Sequence, residues 1–483
     1  MAELVDRERE LRELRDLVKE SGPKLGLIYG RRRVGKTYLL SHTWADADTR
    51  VFYFLATDTT PEFNRRALLE ELRRWSDREI IEEDYPTWRA VFRLLAELAA
   101  DEPIIVVLDE FQFLTGTENS VPSQLNAVWD RLEDVEVKMV LSGSEVGTME
   151  DLKSRDAALF GRFDWAARLR PFDYFDAAQM VPEYDRRRAI HTYAIFGGMP
   201  SFLDTIDDSR PLADNVIRRV LSPRGAVHLQ LDTVIDQEKG IRKPGDHRAV
   251  LGALADGDHA VGDITSSVGL SKDSVRRILT TLQDLQLVRR DDNFDAGRTT
   301  PARYIIADNA VRFWHRFVQS NLSHLARDGG EAVWKDTIEP ELNTYTGKVF
   351  EQVVAQGFDR MHESLGLASA SRWHRWEGKD RGGNQIEIDI IAELSSGKLL
   401  TGEVKWSSSP VDVSLHTDLQ QDLAALGNSG RGWARDALDP DGAAGHLYVS
   451  AAGFTDAFRS LADTSAGLPI YLLDLDDLFE LAD

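Results

Sequence analysis

The sequence predicts a multidomain α/β protein. A parallel sheet flanked by helices comes first, followed by a helix-rich segment, a small helix-turn-helix unit and a second α/β domain. Apolar runs typical of buried strands alternate with helical patterns as far as residue 170, which favours a parallel sheet. A three-helix pattern with a polar hairpin covers 247–305, and two paired strands are indicated within 385–406. A chain of 483 residues is long enough for two to four domains, each with its own core.

The first site motif is the segment GRRRVGKT at residues 30–37, which lies between the apolar run 25–29 and a helical stretch that begins at Tyr38. The pattern G-x-x-x-x-G-K-[ST] between a strand and a helix is typical of a phosphate-binding loop, whose backbone N–H groups face an anion. Lys36 would contact the β- and γ-phosphates of ATP, and Thr37 would bind Mg²⁺. The alternative is a glycine-rich turn with a surface lysine. On the first interpretation the nucleotide is contacted by Gly30, Arg31, Arg32, Arg33, Val34, Gly35, Lys36, Thr37 and Tyr38.

A second motif follows the apolar run 103–108, which is typical of a strand covered on both faces. The run ends in two carboxylates, Asp109 and Glu110, which a buried strand tolerates only at an exposed tip. We expect Asp109 to hold the Mg²⁺ shell and Glu110 to polarise the attacking water. The next apolar run, 137–141, ends in Ser142-Gly143-Ser144, where a hydroxyl could sense the γ-phosphate or simply belong to a turn. The two motifs together predict ATP binding and hydrolysis.

The composition limits the classes of protein to which the chain can belong. The absence of cysteine excludes disulfides and thiolate metal sites, and no apolar run is long enough to span a bilayer or to resemble a signal peptide. A cytoplasmic protein without a membrane partner is therefore expected. The net charge is −23, from 81 acidic and 58 basic residues. Such a composition is compatible with a halophilic cytoplasm, in which salt would screen the repulsion between the protein and DNA.

The rest of the N-terminal half is expected to be largely helical. A charged amphipathic pattern over residues 3–20 predicts a helix that leads into the first strand. A second helical stretch follows residue 172 and is interrupted by Phe196-Gly197-Gly198-Met199-Pro200, because paired glycines and a proline break a helix. We expect this interruption to serve packing, with a nucleotide contact as the alternative.

These features resemble the archaeal ATPase group within the P-loop AAA+/STAND superfamily. The resemblance rests on the loop at 30–37, VVLDE-F-Q at 106–112, LSGS at 141–144, Gly161-Arg162 and GGMP at 197–200. It is specific over the first 200 residues and looser over the remainder of the chain. It implies a P-loop NTPase sheet with a helical lid and, as in many such ATPases, a C-terminal domain that looks like a restriction-type nuclease.

The same resemblance gives a candidate role to Arg162. An arginine after a glycine at this point is a candidate to complete a nucleotide site, in trans if the protein is a homo-oligomer. The alternative is an ordinary ion pair with the nearby Asp164, since pairing with a carboxylate is the commoner use of an arginine side chain.

Residues 247–305 predict a winged helix-turn-helix. The pattern indicates helices near 249–254, 261–268 and from Ser271 onward, with Ser271 as a cap, and then a polar hairpin between the apolar segments 287–288 and 304–306. Between His247 and Tyr304 there are 8 Lys/Arg and 8 Asp/Glu, so this segment is neutral within an acidic chain. Local neutrality favours DNA contact, and the alternative is a small domain that only packs as a conformational lever. The expected DNA contacts are Lys272, Arg276 and Arg277.

The last 140 residues contain a second group of charged residues. Asp389 lies in an alternating strand pattern at 385–392, and Glu403 and Lys405 lie in its expected hairpin partner at 399–406, on one face because side chains alternate along a strand. Two carboxylates and a lysine can hold Mg²⁺, or Mn²⁺, and orient a water toward a phosphodiester. A helix around 346–354 offers Glu351 as a further ligand.

This arrangement is similar to the PD-(D/E)XK nuclease core, with Glu351 on the leading helix, Asp389 in the metal position and Glu403-Val404-Lys405 as the final triplet. Ile388 stands where that pattern has proline, which departs from the signature. The alternative is a non-cutting fold that binds nucleic acid, in which Glu403 and Lys405 form a surface salt bridge.

The sequence thus predicts an ATPase core at 1–172, a helical lid at 173–240, a winged helix-turn-helix at 241–310, a helical connector at 311–340 and a restriction-endonuclease-like α/β domain at 341–483. The leading hypothesis is an ATPase that controls a metal-dependent DNA-processing nuclease, in defence or DNA maintenance. The first alternative is a nucleotide-dependent switch or regulatory DNA-binding protein whose last domain does not cut. A third is a toxin-like nuclease that acts on RNA.

Overall fold

The computed structural model describes residues 5–44, 49–115, 121–132, 135–236, 241, 243–257, 259–297, 300–465 and 467–480. Residues 3 and 4 of the predicted first helix and the last four residues of the expected lid, 237–240, lie outside these ranges. The chain divides into two compact units, Met1–Pro171 and Phe172–Asp483.

The first unit contains a five-stranded parallel sheet in the order β2-β3-β4-β1-β5, which confirms the predicted fold class for this part. Its strands are β1 (Lys24–Tyr29), β2 (Arg50–Leu55), β3 (Ile104–Asp109), β4 (Val137–Gly143) and β5 (Trp165–Arg168). The strand with the phosphate loop, β1, and the strand with the two carboxylates, β3, are separated by β4. Because all strands are parallel, their carboxyl ends meet at one edge, and the predicted site residues gather there.

The helices of the first unit begin where the sequence supplies caps. Thr60 accepts a hydrogen bond from Phe63 N over 3.2 Å, with Pro61 in the first turn, and Thr87 accepts one from Ala90 N over 3.3 Å. The helices are α1 (Glu8–Lys19), α2 (Lys36–Thr43), α3 (Pro61–Ser76), α4 (Trp88–Asp101), α5 (Val121–Trp129) and α6 (Val146–Asp151). Single 3₁₀ turns occur at Glu82–Asp84 and Phe111–Leu114.

The core of this unit explains why β3 has no polar residue before its end. Every residue of β3 and of β4 is buried. Leu68 of α3 and Leu95 of α4 belong to the same apolar cluster as Val106 of β3. A strand covered by helices on both faces must be apolar throughout, and its first tolerated carboxylates come at its tip.

The second unit begins with short helices around the predicted GGMP interruption. Gly197 has a positive φ of 65°, and a Cβ on Gly198 would lie 1.8 Å from Phe172 O. The interruption therefore packs within its own unit, as expected, because only glycine permits this approach of two backbones. The helices here are α7 (Tyr174–Gln179), α8 (Arg186–Phe196), α9 (Pro200–Leu203), α10 (Leu212–Val216) and α11 (Ala226–Asp232), with a π-helical turn at Ile217–Leu221.

A winged helix-turn-helix follows, as predicted. It consists of α12 (Pro244–Asp256), α13 (Val261–Val268) and α14 (Lys272–Asp284), then β6 (Val288–Arg290) and β7 (Tyr304–Ile306), which pair antiparallel. Gly269 ends α13 with a φ of 69°, and Ser271 caps α14 by accepting from Ser274 N over 3.2 Å. We call the hairpin Val288–Ile306 the wing.

A helical connector leads to the last domain through α15 (Asn309–Phe313), α16 (Leu322–Val333) and α17 (Glu339–Met361), with π-helical turns at Trp314–Val318 and Trp334–Ile338 and a 3₁₀ turn at Gln319–Asn321. The helix that carries Glu351 therefore begins at Glu339, before the predicted stretch at 346–354. In α17 the buried positions Val349, Phe350, Val353 and Val354 follow the helical period.

The last domain is a mixed five-stranded sheet in the order β12-β11-β10-β9-β8. The predicted hairpin of β9 and β10 is antiparallel, β8 continues the sheet antiparallel to β9, and β11 and β12 are parallel to β10. Its elements are β8 (Ala370–Lys379), β9 (Gln385–Leu394), β10 (Leu399–Lys405), α18 (Ser414–Asn428), α19 (Gly432–Asp436), β11 (Ala443–Ser450), α20 (Asp456–Thr464), β12 (Ile470–Leu473) and α21 (Leu475–Glu480).

Within the described residues, no helix combines the length and the apolar character that crossing a bilayer requires.

Candidate active sites and similarity to known proteins

The phosphate loop has the geometry that its glycines permit. Gly35 has a φ of 98° and Arg33 a φ of 68°, so the backbone curls before α2 begins at Lys36. A Cβ on Gly30 would lie 2.4 Å from Leu169 O, which leaves room there only for glycine. The buried Lys36 ammonium donates to Gly30 O over 2.8 Å and to Arg31 O over 3.2 Å. Lys36 thus lies over its own loop, where the phosphates of a nucleotide are expected.

The remaining residues of this loop differ in exposure. Val34 is fully buried and Arg31 is nearly so, whereas Arg32 and Arg33 are exposed. Tyr38 is 40% exposed, and its ring stacks on His42 at a centroid distance of 4.0 Å.

Thr37 and Asp109 meet at the carboxyl edge of the sheet. Thr37 Oγ1 donates to Asp109 Oδ2 over 3.0 Å, and the side chain of Asp109 is almost completely buried. Tyr53 of β2 donates its hydroxyl to the same oxygen, and Glu110 N donates to Asp109 Oδ1 over 2.9 Å. Burial, and then the hydrogen bond to Asp109, raises the pKa of Tyr53, so this phenol remains a donor.

Tyr53 was absent from the predicted site. In a sequence, a tyrosine within a strand pattern is ordinarily interpreted as a core residue. The contact of Tyr53 with Asp109 arises only because β2 lies next to β3.

Glu110 is oriented by two polar neighbours. Its backbone is left-handed, with a φ of 53°, and its Oε2 accepts from Ser144 Oγ over 2.6 Å. Gln112 donates to the same carboxylate and also to Ser144 Oγ, over 3.1 Å. Of the two serines in the predicted sensor segment, it is therefore Ser144 that reaches the site. Ser142 Oγ is buried and has no hydrogen-bond partner in the described part of the chain.

Arg162 is held by partners that the sequence did not suggest. Its Nε donates to Asn126 Oδ1 over 2.9 Å, and its Nη2 pairs with Asp130. The alternative of a pair with Asp164 is wrong, because Asp164 accepts from Leu25 N over 2.9 Å instead. Asn126 is in α5 and Asp130 follows this helix, so Arg162 is fixed to α5.

The second candidate site lies where β9 and β10 separate. Their antiparallel pairing ends at Ile390 and Gly402, and beyond this point Asp389 Oδ2 accepts from Val404 N over 3.0 Å. The Asp389 carboxylate thus accepts the hydrogen bond that a backbone carbonyl of β9 would accept if the antiparallel pairing continued. Lys405 Nζ donates to Asp389 Oδ2 over 3.1 Å and to Glu403 Oε2 over 2.6 Å, which confirms that Glu403 and Lys405 lie on one face.

The electrostatics of this second site are those of crowded, buried acids. Burial, and then the neighbouring Asp389, raises the pKa of Glu403. Burial raises the pKa of Glu351 to about 7, and Asp389 adds to this effect. Burial alone would lower the pKa of Lys405, but Asp389 and Glu403 together raise it. Each of these acids is therefore costly to ionise without a cation beside it.

The residues present suit a metal ion only in part. Asp389 and Glu403 offer carboxylate oxygens, which Mg²⁺ and Mn²⁺ prefer, on a shared site that a second positive charge would stabilise. However, in the ranges that the structure describes, no three His, Cys, Asp or Glu side chains are grouped to hold a metal ion. Glu351 and Asp389 interact electrostatically. Glu351 does not, however, form a three-carboxylate metal group with Asp389 and Glu403 among the described residues.

The three predicted DNA contacts lie on the outer surface of α14. Lys272, Arg276 and Arg277 are all exposed. Arg276 pairs with Asp273 over 3.3 Å, and Arg277 Nε donates to Asp273 O over 3.4 Å. These local contacts leave the cationic face of α14 accessible to a polyanion.

Three parts of the chain match known families. Residues 4–206 match an ATPase domain that is predominantly from archaea, residues 249–292 match the IclR helix-turn-helix domain, and residues 314–416 match archaeal and bacterial proteins of unknown function. An uncharacterised protein of Methanocaldococcus jannaschii is 25% identical over 412 residues, which cover 83% of this chain and 87% of that protein.

Two solved structures are among those similar to this chain. One is a Walker-type ATPase of Pyrococcus abyssi, with 19% identity and a TM-score of 0.49 over 65% of this chain and 96% of that chain. The other is the ORC2 protein of Aeropyrum pernix in ADPNP–ADP complexes, with 14% identity and a TM-score of 0.45 over 67% of this chain and 96% of that chain.

The carboxyl edge of the first sheet thus lies within the segment 4–206 that matches the ATPase domain predominantly from archaea, and the segment that matches the IclR helix-turn-helix domain follows it.

Proposed function

We propose that this protein binds and hydrolyses ATP in its first unit and thereby controls metal-dependent cleavage of DNA by its last domain. The observation that carries the ATPase half is the grouping of Lys36, the Thr37–Asp109 pair and the Ser144–Glu110 pair at one sheet edge. The observation that supports the nuclease half is the sharing of Lys405 between Asp389 and Glu403.

In the ATPase, each side chain has a role that follows from its position. Lys36 would move from the loop carbonyls to the β- and γ-phosphates, and Thr37 and Asp109 would hold Mg²⁺. Glu110 would orient the attacking water and accept its proton. Ser144 and Gln112 would keep the Glu110 carboxylate in one orientation, while Tyr53 does the same for Asp109.

In the last domain, Asp389 and Glu403 would hold Mg²⁺ or Mn²⁺. When bound, that ion supplies Lewis-acid stabilisation of the phosphodiester. Lys405 would place its ammonium beside the phosphoryl oxygens on which charge develops.

A second function from a different class is a nucleotide-dependent regulator that binds DNA without cutting it. The observation that favours it is the absence, among the described residues, of a three-carboxylate metal group. In that protein Lys405 stays paired with Asp389 and Glu403, and Lys272, Arg276 and Arg277 of α14 would bind DNA. A toxin-like nuclease acting on RNA would use the same residues on a different polynucleotide.

Arg162 enters this proposal as a conditional element. In a homo-oligomer, it would have to leave Asn126 and Asp130 to reach the nucleotide of a neighbouring copy. ATPase activity per molecule that rises with protein concentration would support this role. Turnover that is independent of concentration in a proven monomer would reject it.

The deciding experiment compares plasmid and single-stranded DNA cleavage by the wild type and the Asp389→Asn variant, with Mg²⁺ or Mn²⁺. Glu393→Gln is a matched control, because Glu393 lies on the same strand but pairs with Arg372 at an exposed position, over 3.4 Å. We expect cleavage to be lost only in Asp389→Asn, with ATPase activity unchanged. Cleavage that survives this substitution contradicts the assignment, and no cleavage of any nucleic acid by the wild type favours the regulator.

A further inference from the structure

The wing of the helix-turn-helix is attached to the outer edge of the last domain. Phe294 N donates to Arg375 O over 3.1 Å, which places a wing residue beside the edge strand β8. Asn293 forms a pair of hydrogen bonds with the backbone of Glu377, at 2.7 and 3.2 Å. Trp376 Nε1 donates to Asp295 Oδ1 over 2.9 Å. The wing is therefore fixed to β8 by backbone and side-chain hydrogen bonds.

The register of β8 shows which of its residues stands opposite Asp389. Trp376 is opposite Ile388, and both belong to the apolar core of this domain. Between the pairs His374–Ile391 and Trp376–Ile388 the register shifts, so that Arg375 stands opposite the two residues Asp389 and Ile390 of β9. Arg375 donates to Glu377 over 2.5 Å and to Glu387 over 3.3 Å, so both of its terminal nitrogens hold carboxylates. An arginine thus stands on the strand next to the proposed metal ligand.

The wing adds a second arginine, which is linked to Arg375 through a shared carboxylate. Arg289 of β6 pairs with Asp291 over 3.4 Å, and Arg375 approaches the other oxygen of the same Asp291 over 3.6 Å. Asp291 is thus a bridge that joins a wing arginine to a β8 arginine. The charges that act on Arg289 also include that of Glu351, whose pKa is raised by burial and by Asp389.

Arg289 remains available to a ligand. Its side chain is 49% exposed. An arginine stays charged and has five N–H donors in a planar fork. In the described ranges, Asp291 is the one carboxylate within ion-pair distance of Arg289, so further donors of the fork can face a phosphate.

We propose that Arg289, held to Arg375 through Asp291, is a phosphate-binding residue of the C-terminal site and contacts the DNA backbone beside the phosphate held at Asp389, Glu403 and Lys405. The inference rests on the proposed nuclease function. Its physical reason is that several acids surround this site, and a polyanion approaches it only if cations flank the point of entry. Guanidinium groups suit this task because they bind phosphate through two parallel hydrogen bonds.

The wing then serves to build the C-terminal site instead of entering a DNA groove. The wing follows α14 after residues 285–287, so both belong to one continuous stretch of the chain.

The test measures DNA binding by the full-length protein, with fluorescein-labelled single-stranded and duplex DNA in Ca²⁺ and without Mg²⁺. Arg289→Gln should weaken binding about tenfold and lower the slope of log affinity against log salt by about one, as expected for one lost phosphate contact. Arg290→Gln is the matched control, because Arg290 is the next residue of β6, is 57% exposed and pairs with Asp292. Arg289→Lys should restore the salt slope, and all variants should unfold at the wild-type temperature.

The possible failures separate the inference from the proposed function. Wild-type affinity and slope in Arg289→Gln, with cleavage still lost in Asp389→Asn, overturn the inference alone. Equal losses in Arg289→Gln and Arg290→Gln also overturn it, because they indicate a general charge effect. A wild-type protein that binds no DNA rejects both. If only a labelled RNA strand depends on Arg289, the DNA assignment is overturned.

Discussion

Ser144 Oγ lies 2.6 Å from Glu110 Oε2 and joins the tips of the adjacent strands β4 and β3. The hydroxyl that the sequence offered as a γ-phosphate sensor therefore contacts the carboxylate that is expected to orient water. Gln112 bonds to both side chains, so the three form one network. A base held in this way needs no reorientation when substrate arrives, which is a general requirement of efficient proton transfer.

Substitution of Ser144 tests this network. We expect Ser144→Ala to lower the ATPase rate constant about tenfold or more, since a positioned general base contributes on the order of 10²–10⁴ and this change only loosens it. Nucleotide affinity should change little. Ser142→Ala is the control, because its buried hydroxyl has no partner among the described residues and its loss should leave turnover unchanged. Equal rates in both variants, measured by phosphate release, would show that Ser144 does not position Glu110.

The division of roles between Lys36 and Glu110 gives a second prediction. Lys36→Ala should abolish ATP binding, because it removes the charge that faces the β- and γ-phosphates. Glu110→Gln should retain binding but lose turnover by about 10²-fold or more, since the amide keeps the shape but is a poor base. Binding of a fluorescent ATP analogue and steady-state hydrolysis separate the two effects. Loss of affinity to the same extent in both variants would contradict this division.

Control of the last domain by ATP is tested with the same variant. If hydrolysis governs cleavage, Glu110→Gln must alter the rate of DNA cutting although the C-terminal residues are unchanged. Conversely, Glu403→Gln should abolish cleavage and leave the ATPase rate at the wild-type value. The two rates are measured on one preparation of each variant. Cleavage by Glu110→Gln at the wild-type rate, with and without ATP, would indicate two independent activities.

The close approach at Gly198 predicts a stability effect. Gly198→Ala should destabilise the second unit by about 2 kcal/mol or more, because the new Cβ would clash with Phe172 O and force the backbone to move. Gly252→Ala is the matched control: Gly252 is inside α12, and its Cβ would meet nothing within 4 Å. It should stabilise the protein by about 0.5–1 kcal/mol through helix propensity. Urea unfolding of the full chain measures both, and a shift of the same sign in the two variants would refute the prediction.

The buried His446 predicts a loss of stability in acid. Burial, and then His416, lowers the pKa of His446 to about 4, so the folded protein keeps this imidazole neutral while the unfolded chain takes up a proton below its ordinary pKa. Stability is therefore constant above about pH 6.5 and falls as the pH drops toward 4. At pH 5 the loss from this group is at most about 2 kcal/mol. The difference between urea midpoints at pH 7 and pH 5 should be smaller in His446→Gln, and an unchanged difference would exclude His446 as the cause.

Local patterns were sufficient to predict most of the site residues' positions. The phosphate loop at 30–37 is recognised from the spacing of its glycines, lysine and threonine. Asp109 and Glu110 follow an apolar run that is typical of a strand covered on both faces. Period-two alternation likewise placed Glu403 and Lys405 on one face. These inferences succeed because each depends on residues that are close in the chain.

Contacts between distant segments could not be predicted in this way. Tyr53 reaches Asp109 only because β2 pairs with β3, and Arg162 finds Asp130 only through the packing of α5. The strand β8 was not predicted, since its aromatic and charged residues do not alternate cleanly, and without β8 the attachment of the wing has no sequence signal. Strand order and domain packing determine which residues are neighbours, and neither can be deduced from a single sequence.

The attachment of the wing to β8 has a geometric consequence for any DNA on which this protein acts. If α14 binds DNA and the last domain cuts it, a hairpin that is fixed to β8 holds these two parts at one separation, unlike two modules on a flexible linker. The distance along the DNA between the segment covered by α14 and the scissile bond would then be constant, so that the protein measures a set number of base pairs from the place where it binds.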